Sequence, residues 1–369
     1  MDYFITDYNI DDKKAIALED SIMHKNKPVT AGSKMLENFI SPLNAKVIDK
    51  LKGKYKIAGK TAMDEFGIPN LFSTEPDVVS GAIRALVDGA ATFSLCNDVF
   101  GTYRKQAAEN NCCYIHPSYG TVSRYGLLPL ASSMDQIGIV CKDLSEGFKL
   151  LSHIAGNDEN DGAMFPDKSY DYSKTDESIT IALPDSLINQ ADKNAQAAIA
   201  DFAENFNTIS IDLPYFNLYK QVMYILSCAE ISNNISRYDG INFGYRTSDY
   251  TNMDELYTNT RTEGFGPTAK LAAIMGAMVL SQNNYIPYYE KAMKLRRLIK
   301  ESIAFDKYDI IALPCKISEE PYQNLSLYSI ANLAGLPSVS FSYKGQGIQL
   351  IANVRNENIL LTAWEVCIK

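Results

Sequence analysis

Leu95-Cys96-Asn97-Asp98-Val99-Phe100-Gly101-Thr102-Tyr103-Arg104 is the stretch on which the fold turns. Just before it, residues 91–95 form a short apolar run that reads as a buried strand. Ahead of that run, residues 78–88 have helical spacing, and Gly89 stands where a left-handed helix stop is expected. Helix, glycine stop and strand in that order are the repeating unit of a layered α/β protein.

Working outward, the same alternation continues. Residues 15–18 and 55–59 read as strands, and 144–154 as a helix. Residues 33–52 carry Met35, Leu36, Phe39, Val47, Ile48 and Leu51 at helical spacing, with a break expected at Pro42 and Asn44. Residues 179–184 predict a strand, 189–205 a helix, and 217–303 a mostly helical region. Residues 310–314, 338–342 and 348–352 predict strands, the last two joined by 343–347. Residues 1–14 predict a short edge strand or a loose tail. The whole predicts an α/β fold in which a mixed sheet lies between helices, as one compact domain over residues 1–369. No repeat, low-complexity segment or linker interrupts it.

Composition limits the function. The chain has 369 residues, a net charge of −9 and no strong basic run, which argues against direct nucleic-acid binding. The first fifteen residues are charged and lack an apolar core, so no secretory signal is expected. No apolar window approaches a membrane span. Seven cysteines include no Cys-x-x-Cys pair, which suits reduced thiols and a cytoplasmic protein.

Most familiar chemistries fail on residue supply. His24, His116 and His153 are the three histidines, and none forms a ligand-like pair. A zinc site or a Ser-His-Asp triad needs more, so these are read as packing or surface residues. Gly59-Lys60-Thr61 resembles the tail of a phosphate-binding loop but lacks the preceding glycine spacing. Asp64 and Glu65 are adjacent acids whose side chains diverge, and loop hydrogen bonding explains them better than acid/base work. Cys96, Cys228 and Cys315 lie in apolar contexts and read as small hydrophobes. No metal or cofactor is expected.

A different set of runs is ordered along nearly the whole chain. These are Ala31-Gly32-Ser33-Lys34-Met35-Leu36-Glu37-Asn38-Phe39, Gly59-Lys60-Thr61-Ala62-Met63-Asp64-Glu65-Phe66, residues 119–127 and Ser132-Ser133-Met134-Asp135-Gln136-Ile137-Gly138. Arg237-Tyr238-Asp239-Gly240, Arg261-Thr262-Glu263-Gly264-Phe265-Gly266 and residues 331–337 follow. Together they resemble the amidase-signature family, and within it the amidotransferase A subunits. The resemblance implies an amide-hydrolysing fold with a nucleophilic serine, a relay serine and a base lysine. A hydroxyl needs such a base to become nucleophilic, and burial lowers a lysine's pKa.

At each of those positions this chain differs. The family's Asp-Thr-Gly-Gly-Ser-Ile-Arg run corresponds to Asp98-Val99-Phe100-Gly101-Thr102-Tyr103-Arg104, which puts Thr102 at the nucleophile. Phe100 replaces a glycine whose neighbourhood forms the oxyanion hole. The relay position falls on Val78, because residues 72–81 bypass the family's Gly/Ser-rich loop. The base lysine of a Lys-Asp-Asn-Ile run falls on Glu19 of Glu19-Asp20-Ser21-Ile22. A substrate-holding arginine is missing from Lys270-Leu271-Ala272. The family's N-terminal helical segment also has no counterpart. Phe100, Gly101, Asp98 and Arg104 are expected at the substrate pocket, while Asp98, Gly101, Arg104, Arg124, Asp135 and Gln136 read as scaffold.

The resemblance and its departures imply a catalytically inactive homologue that binds or regulates a partner, such as an amidotransferase-type subunit. The alternative is a remodelled amidase in which Thr102 attacks glutamine or a small amide with Glu19 as base. Glu19 is then expected to face Thr102 or a nearby arginine such as Arg104. The old pocket is expected to be shallow and open, or plugged by Phe100 and Tyr103.

Overall fold

Eleven strands among the described residues form one mixed sheet in a computed structural model of the chain. The structure describes residues 3–368 except 11, 13, 73–77, 176–177 and 243. In chain order the strands are β1 (Phe4–Asp7), β2 (Ile16–Glu19), β3 (Ile57–Thr61), β4 (Phe93–Asn97), β5 (Cys113–His116) and β6 (Ile137–Cys141). β7 (Thr180–Leu183), β8 (Asn207–Ser210), β9 (Ile310–Pro314), β10 (Ser338–Tyr343) and β11 (Gln346–Ala352) complete them. The spatial order is β1-β3-β2-β4-β6-β5-β10-β11-β9-β7-β8. Parallel pairs lie toward the two ends of the sheet, and the centre from β4 through β11 is antiparallel.

The inner strands β2, β4, β6 and β9 are buried along their length because helices cover both faces, while the edge strands β1 and β8 are partly exposed. Along β2, Ile16 and Leu18 enter one core, while Ala17 between them enters another. The first face packs α1 (Lys46–Leu51), α4 (Leu144–Ile154), α6 (Lys193–Ala203) and α12 (Glu357–Ile368). The second packs α2 (Gly81–Val87), α3 (Thr102–Glu109), α7 (Phe216–Ile235), α9 (Pro267–Leu280) and α11 (Pro321–Ala334). α5 (Asp185–Ile188), α8 (Met253–Gly264) and α10 (Lys291–Glu301) complete the helices. No described helix is long and apolar enough to cross a membrane.

The main departure from sequence expectation is residues 33–52. Only a 3-10 turn, Lys34–Leu36, and the short α1 form there. Between them the chain folds back on itself, with Val29 N–H donating to Phe39 and Ser41 N–H to Lys27. The spacing of Val47, Ile48 and Leu51 reports a helix, after the break expected at Pro42 and Asn44, while that of Met35, Leu36 and Phe39 reports burial in a turn and loop. Residues 1–14 include an edge strand, antiparallel to β3. The expected helix over 78–88 begins at Gly81, where a Cβ would meet the Tyr3 and Ala62 backbone at 2.5–2.8 Å. The bypass at 72–81 has residues 73–77 outside the described residues.

α3 is fixed by a buried ion pair. Asp98 Oδ2 accepts from Arg104 Nε and from the Arg104 amide, each at 3.0 Å, while Oδ1 accepts from the Tyr103 amide at 3.3 Å. The Arg104 guanidinium also donates to Asn332 Oδ1 at 2.5 Å and to the Tyr328 carbonyl at 3.3 Å, both on α11. Both members of the ion pair are almost fully buried. Arg104→Leu leaves the Asp98 charge buried and uncompensated, so it is expected to cost about 3–5 kcal/mol. Chemical denaturation checks this, and a loss below about 1 kcal/mol would contradict it.

Candidate functional site

Thr102 is the first residue of α3 and half-buried. It follows Gly101, whose φ of +83° is a left-handed conformation natural to glycine. A Cβ at Gly101 would sit 2.1 Å from Cγ of Tyr328, so the turn lies flat against that ring. Thr102 borders two clefts, of about 250 and 170 Å³. Asp64, Val78, Phe100 and Gln106 line both. Phe100 also walls a third, mainly apolar cleft of about 120 Å³. The space is therefore divided around Phe100, and Tyr103 borders the second cleft.

Glu19 ends β2 and is only 1% exposed. Its Oε2 accepts the Asn97 amide at 2.5 Å, and its Oε1 accepts the Ser21 hydroxyl at 3.0 Å. Glu19 lines neither Thr102 cleft. It lies behind Gly67, where a Cβ would be 3.9 Å from Oε1. Against the expectation that Glu19 faces Thr102 or a nearby arginine such as Arg104, its carboxyl meets the Asn97 amide and the Ser21 hydroxyl. Arg104 is turned under α3 toward Asp98 and Asn332, and the Asn97 amide takes the carboxylate instead.

Burial pushes the Glu19 carboxyl up to about 8, against the lowering effect of the Asn97 and Ser21 bonds. Beside it is a group that spacing had suggested only as a partial phosphate-loop motif. Lys60, from the neighbouring β3, is fully buried. Its Nζ donates to the Glu19 carbonyl at 3.1 Å and to the Ile22 carbonyl, and lies 3.6 Å from Asp20 Oδ1. Burial brings the Lys60 ammonium down to about 8. The register that places Lys60 opposite Leu18 could have revealed it, but strand pairing is not visible in one-dimensional spacing.

The other predicted positions are spread around the clefts. Val78 is exposed and borders both; its carbonyl accepts from Gln106 Nε2 at 3.0 Å. Gly101 borders the first cleft and Asp98 the second. Arg104 borders neither. Ser80 was missed. Its amide donates to Gln106 Oε1 at 2.9 Å, and its buried hydroxyl borders the second cleft with no partner among the described residues. Asp135 binds the Asn97 side chain and the Leu130 and Ala131 amides, and Arg124 pairs with Asp161 at 2.5 Å. Glu65 accepts from Ser33 and from the Gly266 amide, as loop bonding predicts. No cluster of metal-ligand type occurs among the described residues.

The chain matches the Amidase family over residues 80–361. It is 36% identical over 365 residues to the A subunit of glutamyl-tRNA(Gln) amidotransferase from Lachnoclostridium phytofermentans, covering 88% of this chain and 74% of that protein. It is also 36% identical over 401 residues to the A subunit of glutamyl-tRNA(Gln) amidotransferase from Trichodesmium erythraeum, covering 94% and 82%. The crystal structure of the corresponding A subunit from Thermotoga maritima has a TM-score of 0.74 at 25% identity, covering 98% and 85%. The crystal structure of an amidase has a TM-score of 0.73 at 18% identity, covering 95% and 82%, a likeness of fold. The chain belongs to the amidase family.

The buried Glu19 carboxyl has a measurable consequence. Its native pKa lies above the unfolded value of 4.5, so the folded state binds the proton more tightly. That contribution is full below about pH 4.5 and is lost as pH rises through about 8. Glu19→Gln keeps an acceptor for the Asn97 amide without the charge. Its stability relative to wild type is expected to rise by up to about 5 kcal/mol across that window. Denaturation at stepped pH checks this, and a constant difference would refute it.

Proposed function

We propose that this chain is an amidase-fold protein that does not hydrolyse amides and acts by binding or regulating a protein partner. The observation that carries this reading is the placement of Glu19. At the position that the family resemblance gives to the base lysine stands a carboxylate, bonded to a backbone amide and a hydroxyl and absent from the walls of both clefts beside Thr102. A group so placed does not take a proton from Thr102. Val78 at the relay position offers no hydroxyl. Loss of members of a catalytic unit removes several orders of magnitude in rate. The relatives are named as subunits, which supports a partner of the amidotransferase-subunit class. The scattered charges and net charge of −9 support a role without direct nucleic-acid contact, and the free cysteines support a cytoplasmic setting.

One observation favours a second reading, a remodelled amidase acting on glutamine or a small amide. The Ser80 hydroxyl borders the same cleft as Thr102, two residues from the relay position. Ammonia release from glutamine, asparagine and simple amides, by wild type and Thr102→Ala, separates the two. No release from either protein is expected. Release by wild type that Thr102→Ala abolishes would replace the binding role with turnover at Thr102.

A further inference from the structure

α9 is inverted relative to an ordinary surface helix. Its small residues Ala269, Ala272 and Gly276 face inward, and a Cβ at Gly276 would sit 2.1 Å from the Cys228 carbonyl of α7. Val279 is buried with them, but other large apolar residues face outward. Leu271, Ile274 and Met278 are 43%, 67% and 38% exposed and stand on one helical face at spacings of three and four residues. A surface helix normally turns that stripe toward its own core.

Exposed apolar side chains follow in the next segment as well. A π-helical turn, Tyr285–Glu290, packs against α9 and leads into α10. There Ile286 is 68% exposed, Tyr288 44% and, in α10, Met293 43%. From Leu271 to Tyr289 the sequence contains no Asp, Glu, Lys or Arg. Depletion of charge with enrichment of Met, Tyr and aliphatic residues is the composition of an interface centre. The six side chains named here expose roughly 600 Å². With the small and polar residues between them, the face approaches the ~800 Å² that each partner gives a standard interface.

We propose that this face pairs with the same face of a second copy of the chain, around a twofold axis running through α9. Two arguments select a second copy. Each copy carries a net charge of −9, so most approaches between copies set like charges together. This strip is one along which they meet without that repulsion. An isologous contact needs one self-complementary patch, and an uncharged apolar stripe of this area satisfies it. The proposal is independent of whether Thr102 turns over an amide.

Sedimentation velocity of the full chain at micromolar concentration, in moderate and high salt, tests it. Wild type is expected at twice its 41.0 kDa mass in both. Ile274→Glu with Ile286→Glu is expected at the monomer mass, with unchanged circular dichroism and unfolding temperature, because both side chains are already largely exposed. A dissociation constant raised at least a hundredfold, roughly, is the expected scale. Val366→Glu, on the opposite face of the sheet in α12, is expected to remain dimeric. A monomeric wild type overturns the proposal, and so does a dimer that survives the double substitution. Flotation of monomeric wild type with phosphatidylcholine–phosphatidylglycerol vesicles would also overturn it, in favour of a lipid surface.

Discussion

Arg104 is a charge without exposed surface, and the region around Thr102 depends on how that charge is met. A buried guanidinium persists only when its donors find acceptors. Here those acceptors come from distant parts of the chain: Asp98 in the preceding turn, Tyr328 and Asn332 on α11, and Gln349 on β11. Ser340 on β10 closes the set by donating to the Arg104 carbonyl at 2.8 Å. α3 is therefore correctly seated only when the sheet centre and α11 are already in place. Asp98 takes the Tyr103 and Arg104 amides and fixes the turn before Thr102. Gly101 then passes against Tyr328 where no side chain fits.

A second buried acid holds the same turn from the other side. Glu19 binds the Asn97 amide, and Asn97 in turn binds Asp135 through its side chain. Lys60 lies under this arrangement and binds the carbonyls of Glu19 and Ile22. Asp20 and Lys60, buried together 3.6 Å apart, reduce the cost that either would impose alone. Exchanging the residue at position 19 thus changes the support of the turn as well as any proton chemistry. That coupling is why stability, and not only turnover, reports on Glu19.

Much of the fold was legible because its central runs are apolar without interruption. Residues 310–314 and 338–352 could be read as strands from composition alone, and 144–154 as a helix from its period. The limits have physical causes. At 33–52, loop burial and helix burial leave the same apolar spacing. β5 and β6 were passed over because each is only four or five residues long, and α3 itself has few apolar periods to betray it. At the site, the positions that the resemblance singled out as Thr102 and Val78 both border the two clefts. The resemblance could not locate Arg104 beneath α3, because the direction of a side chain depends on partners more than two hundred residues away. Nor could it pair Lys60 with Glu19, since that contact exists only through strand register.

The residues retained from the family and those replaced occupy physically different places. Asp98, Arg104 and Asp135 are buried and bonded to backbone or to each other, so changing one of them threatens the fold. Val78 and Phe100 face the clefts. Val78 is exposed, so its side chain can change with little effect on the turn, which Asp98 and Glu19 hold, whereas Phe100 is packed into the core. Selection for a folded protein therefore preserves the first group whatever the protein does. Information about function is concentrated in the second group, where a valine offers no hydroxyl and a phenylalanine divides the space that a small amide would enter. The apolar outer face of α9 belongs with that second group. It is an exposed feature that the chain's own core does not cover.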